Sequence, residues 1–468
     1  MTSRALLAVS LFAGFYLFGI VLILALLWLP WAQARYTGGP DLSGLIATGG
    51  ALYIAWALVP PRTRWTAPGP ELSAKAQPRL FSLIASVAAR TGHAMPHAVF
   101  LVPDAVAFAS SRPRWHGLRR EPIVGIGLPL FALLTESELA AVVAHEFGHH
   151  AGGDVKLGPW QHRTFVAISA ALHRLDGSNL FLHLPFYAYG RLFLRLTGAA
   201  SRQQELRADA LAARTVSPEA LGGALIALAQ YHPSWSAYWH GVFIPAVNAG
   251  FRPPIVDGYR RFLAASAPAP LATAAPEVPP ADDDTHPPLD ARLAALGLSL
   301  HVREDLARSA ALLEDLPGTE LRVLAPLLTS ADVLGKLTPV SWDEWGSRIA
   351  PAMWARYMEP RMAALRGLEV ASLASMVHSD GLWERLRSGI NVYSAEARRR
   401  QLRVWLGHWV ALTLLEAGFA VASEPGAETV LRRGDLAIEP FTWVDELGSG
   451  KRTADEWRSL CRVAQHFA

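Results

Sequence analysis

Residues Ala5 to Trp31 are almost wholly apolar, and that run constrains the chain more than any other. Such a stretch is long enough to cross a bilayer, and as a helix it satisfies its own backbone there. A second apolar run, Leu42 to Val59, is shorter and carries Gly44, Gly49 and Gly50. It is just long enough to return through the bilayer. Arg4 precedes the first run and Arg62, Arg64, Lys75 and Arg79 follow the second, while the connection holds only Arg35 and Asp41. Positive charge on both flanks predicts a hairpin over residues 1–62, with helices at about 5–31 and 42–59. Both ends, and the rest of the chain, then lie on the cytoplasmic side. Ala32-Gln33-Ala34 has the form of a signal-peptidase site, but the apolar run before it is too long for a usual signal core.

At 468 residues the chain has room for two or three domains. Hydrophobic residues make up 51% and charged residues 18%, an apolar lean that the N-terminus explains. The net charge of +3 and the lack of a long basic run give no reason to expect nucleic acid as a partner. The single cysteine, Cys461, excludes an intrachain disulfide and a metal site built from several thiolates. A reducing compartment fits.

Chemistry concentrates in Thr135 to His150, TESELAAVVAHEFGHH. Thr135 and Glu138 have the spacing of a capping box, so a helix starts there. Leu139, Val142 and Val143 give it an apolar face. His145 and His149 stand one turn apart, with Glu146 beside them. Two imidazoles at that spacing can both reach one tetrahedral zinc, and the carboxylate between them can take a proton from a water on the ion. An ordinary helix with two surface histidines shows the same spacing.

A catalytic zinc needs a third protein ligand. Glu205 in SRQQELRADALAART is the best candidate, and Asp209 lies one turn further on the same helix face. Asp209 would accept a hydrogen bond from the far nitrogen of a ligating histidine and so fix its tautomer. The Glu-x-x-x-Asp pattern alone is common; it gains weight only after the histidine helix.

The remaining chain reads mostly as helix. Residues 60–78 form a proline-marked linker, followed by a helix at about 78–90. Ala98–Val102, Val106–Ala109 and Ile123–Leu128 read as strands, with Ser110–Arg120 as a polar basic loop between the last two. Residues 156–200 are apolar but interrupted by charges, which suggests amphipathic helices on the domain or at a membrane surface. Ser217 and Pro218 begin another helix. Residues 267–285 are a Pro/Ala-rich flexible loop that ends in His286-Pro287-Pro288. Beyond about Leu316 the chain is helical and rich in tryptophan, with a hairpin around Arg433-Gly434.

Taken together, the strand IVGIGLPL, AAVVAHEFGHHAGGD, SRQQELRADALAA and THPPLDARLAAL resemble, in the same order, the HtpX-like and CAAX-prenyl-protease family of membrane zinc metallopeptidases. The resemblance covers roughly Leu80 to Leu296. It implies one zinc ion per chain, held by His145, His149 and Glu205, with Glu146 as general base. Asp209 would be the partner of His145, and Arg202 a charge partner near the site. His286 would approach the metal or the substrate oxyanion, or serve as a structural hinge. The implied activity is hydrolysis of peptide bonds in a polypeptide substrate by an integral membrane endopeptidase, in the quality control of membrane proteins. Two alternatives are a membrane-bound binding or assembly protein that keeps a zinc site, using its tryptophan-rich region, and a prenyl-protein protease. The chain departs from the family at Val106-Ala107, where many relatives carry Asn-Ala, and in the more charged 156–200 region. The expected architecture is α+β and mainly α-helical. It comprises the hairpin, a zincin-like domain with a small sheet at 78–315, and a helical region of unassigned role at 316–468. Nothing in the sequence sets an oligomeric state.

Overall fold

The N-terminal apolar run forms one helix, α1 (Ser3–Tyr36), and α2 (Leu42–Ala57) packs against it. The computed structural model describes residues 3–36, 38–39, 41–59, 65–114, 119–151, 168–175, 183–266, 287–301, 309–328, 331–387, 390 and 394–466. Within α1, Ser10–Tyr36 is long and apolar enough to cross a membrane. The expected second span is smaller: α2 has 16 residues, or ~24 Å, which falls short of a hydrocarbon core of ~30 Å. Leu17, Ile20, Val21, Leu24, Trp28 and Trp31 of α1 are exposed, as are Leu45, Leu52 and Trp56 of α2. Asp41 caps α2 by accepting from the backbone N–H groups of Ser43 and Gly44. Its other end is closed from a distance: Arg174 donates to the carbonyls of Ala57 at 3.1 Å and Val59 at 2.7 Å, and its guanidinium lies over the Trp56 ring.

Strands β1 (Glu71–Leu72), β2 (Ala98–Val102), β3 (Ala107–Arg114) and β4 (Arg119–Gly127) form a mixed sheet in the order β1-β2-β4-β3. β2 and β4 run parallel; the other pairs are antiparallel. Helix α3 (Pro78–Thr91) fills the connection from β1 to β2 and ends at Gly92, whose positive φ of 73° suits the left-handed cap that glycine adopts freely. The arms of the β3–β4 hairpin run much further than expected. Residues 110–114 and 119–120, read from sequence as loop, are paired strand from Ser110↔Ile123 to Arg114↔Arg119. No apolar alternation announces these arms. Cross-strand ion pairs from Arg112 and Arg114 to Glu121 accompany the backbone ladder there.

Helix α4 (Glu136–Ala151) follows. Its capping box is complete: the backbone N–H of Thr135 donates to Glu138 at 2.7 Å, and the N–H of Glu138 donates to Thr135 Oγ1 at 3.2 Å. Next in the described chain come a short helix at 168–175 and α5 (His183–Thr215). The expected separate helix at 201–215 is the second half of this 33-residue rod. The first half of α5 packs on the hairpin, where Leu11, Phe15, Ile54 and Leu58 share a cluster with Ile168, Leu175, Phe186 and Phe193. The Tyr189 hydroxyl donates to the Leu11 carbonyl at 2.7 Å.

Helix α6 (Pro218–Tyr238) is capped by Ser217 and packs on α4 and α5; α7 (Ile255–Ala265) packs on α6, and α8 (Leu289–Ala295) packs on α5 and α6. The loop at 267–285 and His286 lie outside the described residues.

The C-terminal region begins with α9 (Leu316–Leu324). It continues to α10 (Ala395–Glu416), α11 (Pro440–Ser449) and α12 (Ala454–His466), with a small antiparallel sheet of Ala420–Val421, Leu431–Arg433 and Leu436–Ile438. Most of its tryptophans are core: Trp342, Trp354, Trp383, Trp405 and Trp409 are buried. One apolar cluster runs from Leu72 through Val143 to Trp457. Buried Gln77 also ties the parts together, accepting from the Glu314 N–H at 2.7 Å and donating to its carbonyl at 3.0 Å.

Candidate metal centre

Helices α4 and α5 cross so closely that their side chains meet without a spacer. A Cβ placed on Gly148 would lie 2.7 Å from the Ala208 Cα, so only glycine permits this approach. Ala208 and Ala212 on the facing stripe are small and fully buried. The crossing sets the α4 histidines opposite the α5 carboxylates.

Three donor atoms converge there. The Nε2 atoms of His145 and His149 are 3.1 Å apart. Glu205 places one oxygen 3.5 Å from His145 Nε2 and the other 3.6 Å from His149 Nε2. A tetrahedral ion with ligand bonds of ~2.0–2.1 Å requires its ligands to stand about 3.3 Å from each other. The His145, His149 and Glu205 set therefore fits a zinc-sized cation without rearrangement, two neutral nitrogens and one carboxylate being a donor set that such an ion accepts. His145 and Glu205 are buried, while His149 is on the open side.

The support behind these three atoms is equally specific. His145 Nδ1 stands 2.9 Å from Asp209 Oδ1, and Asp209 is almost fully buried. Arg292 of α8 holds that carboxylate with two donors, Nε to Oδ2 at 2.8 Å and Nη2 to Oδ1 at 2.6 Å. The same Nη2 lies 3.7 Å from Glu205. Burial by itself would raise the Asp209 carboxyl; the bonds from Arg292 and His145 outweigh it and hold the group below the usual range. For His145, burial by itself lowers the pKa. The bonds to Asp209 and Glu205 and the charge of Glu146 win, and the imidazole sits at about 9. Carboxylates that favour a proton on His145 favour a divalent cation at the same place. Glu146 is half-buried on α4, and its charge reaches both His145 and Arg292.

The sequence-derived residues fare unequally. His145, His149, Glu205 and Asp209 meet at one point. Arg202 is exposed, and the guanidinium at the carboxylates belongs to Arg292 instead. Arg292 stands within THPPLDARLAAL, yet its pairing with Asp209 bridges a separation of 83 residues that no local pattern signals. His286 is outside the described residues.

A helix presenting two histidines one turn apart, met by a glutamate from a second helix, is the arrangement that HExxH metallopeptidases use to hold their metal. Residues 74–298 match the model of peptidase family M48. Over this segment the chain is similar to the HtpX-like metallopeptidases of that family. It is similar to Protease HtpX of Tolumonas auensis, with 29% identity over an alignment of 177 residues that covers 33% of this chain. The chain spans 59% of the length of that relative. No solved structure matches it.

Proposed function

We propose that this chain is a membrane-anchored, zinc-dependent endopeptidase. One observation carries the reading: His145 and His149 sit on the helix that bears Glu146, Glu205 meets them from α5, and α4 packs against β3, the edge strand of the sheet. An extended peptide can pair with such an edge through backbone hydrogen bonds, which aligns it beside α4 regardless of its sequence. His145, His149 and Glu205 would hold the zinc, which when bound polarises the scissile carbonyl and acidifies water. Glu146 takes the proton of the attacking water and passes it to the leaving amine. Asp209 keeps His145 in the tautomer that offers Nε2 to the site, and Arg292 keeps Asp209 ionised.

The membrane part of the proposal rests on Ser10–Tyr36 and the exposed apolar faces of α1 and α2. The charge distribution around them favours a cytoplasmic catalytic domain, and reporter fusions at residue 70 test it. Misassembled membrane proteins are the substrate class we assign, by analogy with the protease that the chain resembles. The reading as a partner-binding protein loses its proposed surface, because most of the C-terminal tryptophans are buried.

The decisive experiment uses the purified full chain in detergent or nanodiscs with unfolded casein. Glu146→Gln should retain one zinc per chain and lose cleavage. Cleavage retained by that variant, or unaffected by a chelator, would refute the assignment. A prenylated CAAX-tailed peptide run beside casein distinguishes the prenyl-protease alternative.

A further inference from the structure

The C-terminal region carries a partly open cavity of about 100 Å³ that the peptidase reading does not use. Leu414, Ala417, Ile438, Trp443, Trp457 and Cys461 are among its walls. Two of the polar groups on those walls are engaged: the Trp457 indole donates to the Val370 carbonyl at 2.9 Å, and the Thr413 hydroxyl to the Trp409 carbonyl at 3.0 Å. The wall surface is mainly apolar. A mainly apolar, partly open cavity favours an apolar group, whose burial there removes apolar surface from water.

A cation stands beside it. Arg433, on the strand next to the one that carries Ile438, donates to the carbonyl of Ala417, itself a wall residue. Its guanidinium lies over the Phe419 ring, 5.4 Å from the centroid. Among the described residues no carboxylate pairs with Arg433. One Nη1 bond to a carbonyl leaves several of its donors available, in the planar fork that suits a carboxylate.

We propose that this cavity and Arg433 bind the C-terminus of a polypeptide whose last residue is Val, Ile or Leu. The terminal carboxylate pairs with Arg433, and the last side chain enters the cavity. Volume selects this occupant over a fatty acid: an apolar cavity of ~150 Å³ admits one benzene, so about 100 Å³ suits a single aliphatic side chain and excludes a long acyl tail. Charge selects it over a neutral apolar molecule. The site is a docking point for chain ends and stands independently of the chemistry at His145.

The test measures fluorescence anisotropy of a labelled hexapeptide ending in Leu, with the full Glu146→Gln chain in nanodiscs so that nothing is cleaved. We expect saturable binding that weakens at least tenfold when the terminal carboxylate is amidated or when Leu is replaced by Asp. Arg433→Gln should weaken it to a similar degree, and Cys461→Phe, which fills the cavity, should abolish it. The amidated peptide needs no variant, so the result does not depend on how a mutant folds. Equal binding of acid and amide, displacement of the peptide by decanoate, or no saturable binding up to about 1 mM would each overturn the proposal.

Discussion

Gly148 of α4 and Ala208 of α5 approach closely, and the candidate metal site depends on that approach. The cluster of His145, His149 and Glu205 exists only where these two helices are close enough for short side chains to meet. Gly148→Ala should push the helices apart at an overpacked position, costing about 1–3 kcal/mol. The expected signature is a larger loss at the site than in the fold. Zinc content by mass spectrometry should drop while far-UV circular dichroism is unchanged; full zinc occupancy would contradict the argument.

Arg292→Met leaves Asp209 buried without its bidentate partner. Breaking a buried ion pair from one side costs about 3–5 kcal/mol, and the melting temperature in detergent should fall accordingly. Zinc affinity should weaken roughly 10–100-fold, because Asp209 then orients His145 less well. Arg292→Lys should restore charge but only part of the affinity, since an ammonium cannot match the two oxygens at once. An unchanged affinity in Arg292→Met would show that Asp209 needs no clamp.

Metal loading should weaken in acid. His145 carries a proton below about 9, and that proton must leave before a cation binds. Below that value each unit of acidification should cost up to about tenfold in apparent affinity, until other ligands titrate and steepen the loss. Titration with a competing chelator at several pH values measures the slope, and a flat profile between pH 6 and 8 would refute the coupling.

A separate pH effect belongs to Glu320, buried at the N-terminus of α7. It accepts from the backbone N–H groups of Ile255 at 3.0 Å and Val256 at 2.8 Å. Burial raises it to about 7 although those two bonds pull the other way. Its folded value therefore exceeds its unfolded value of 4.5, and folding retains a proton that the unfolded chain releases. The stabilisation is complete below pH 4.5 and is lost as pH rises through about 7, a change on the order of 3 kcal/mol. Thermal unfolding at pH 5 and 8 should show this loss in the unaltered chain and much less of it in Glu320→Gln. Identical slopes would remove Glu320 from the account.

What the residues alone determined is what depends on short range. The Thr135–Glu138 capping box, the Ser217 cap and the one-turn spacing of His145 and His149 all lie within five residues of chain, where helix geometry leaves little choice. The apolar run of α1 is equally local, since length and composition suffice to set it. Glu205 and Asp209 were legible as a pair on one helix face, but only because the histidine helix had already raised the question of a third ligand.

Tertiary structure decided the rest, for two physical reasons. Contacts far apart in sequence leave no periodic trace: Arg292 reaches Asp209 across 83 residues, and Gly148 meets Ala208 only because two helices cross. Polar strands also carry no apolar alternation, so residues 110–114 look like loop until the β4 ladder and the pairs to Glu121 are present. Burial changed the meaning of composition as well. The C-terminal tryptophans look like a docking surface in sequence, and packing turns most of them into core.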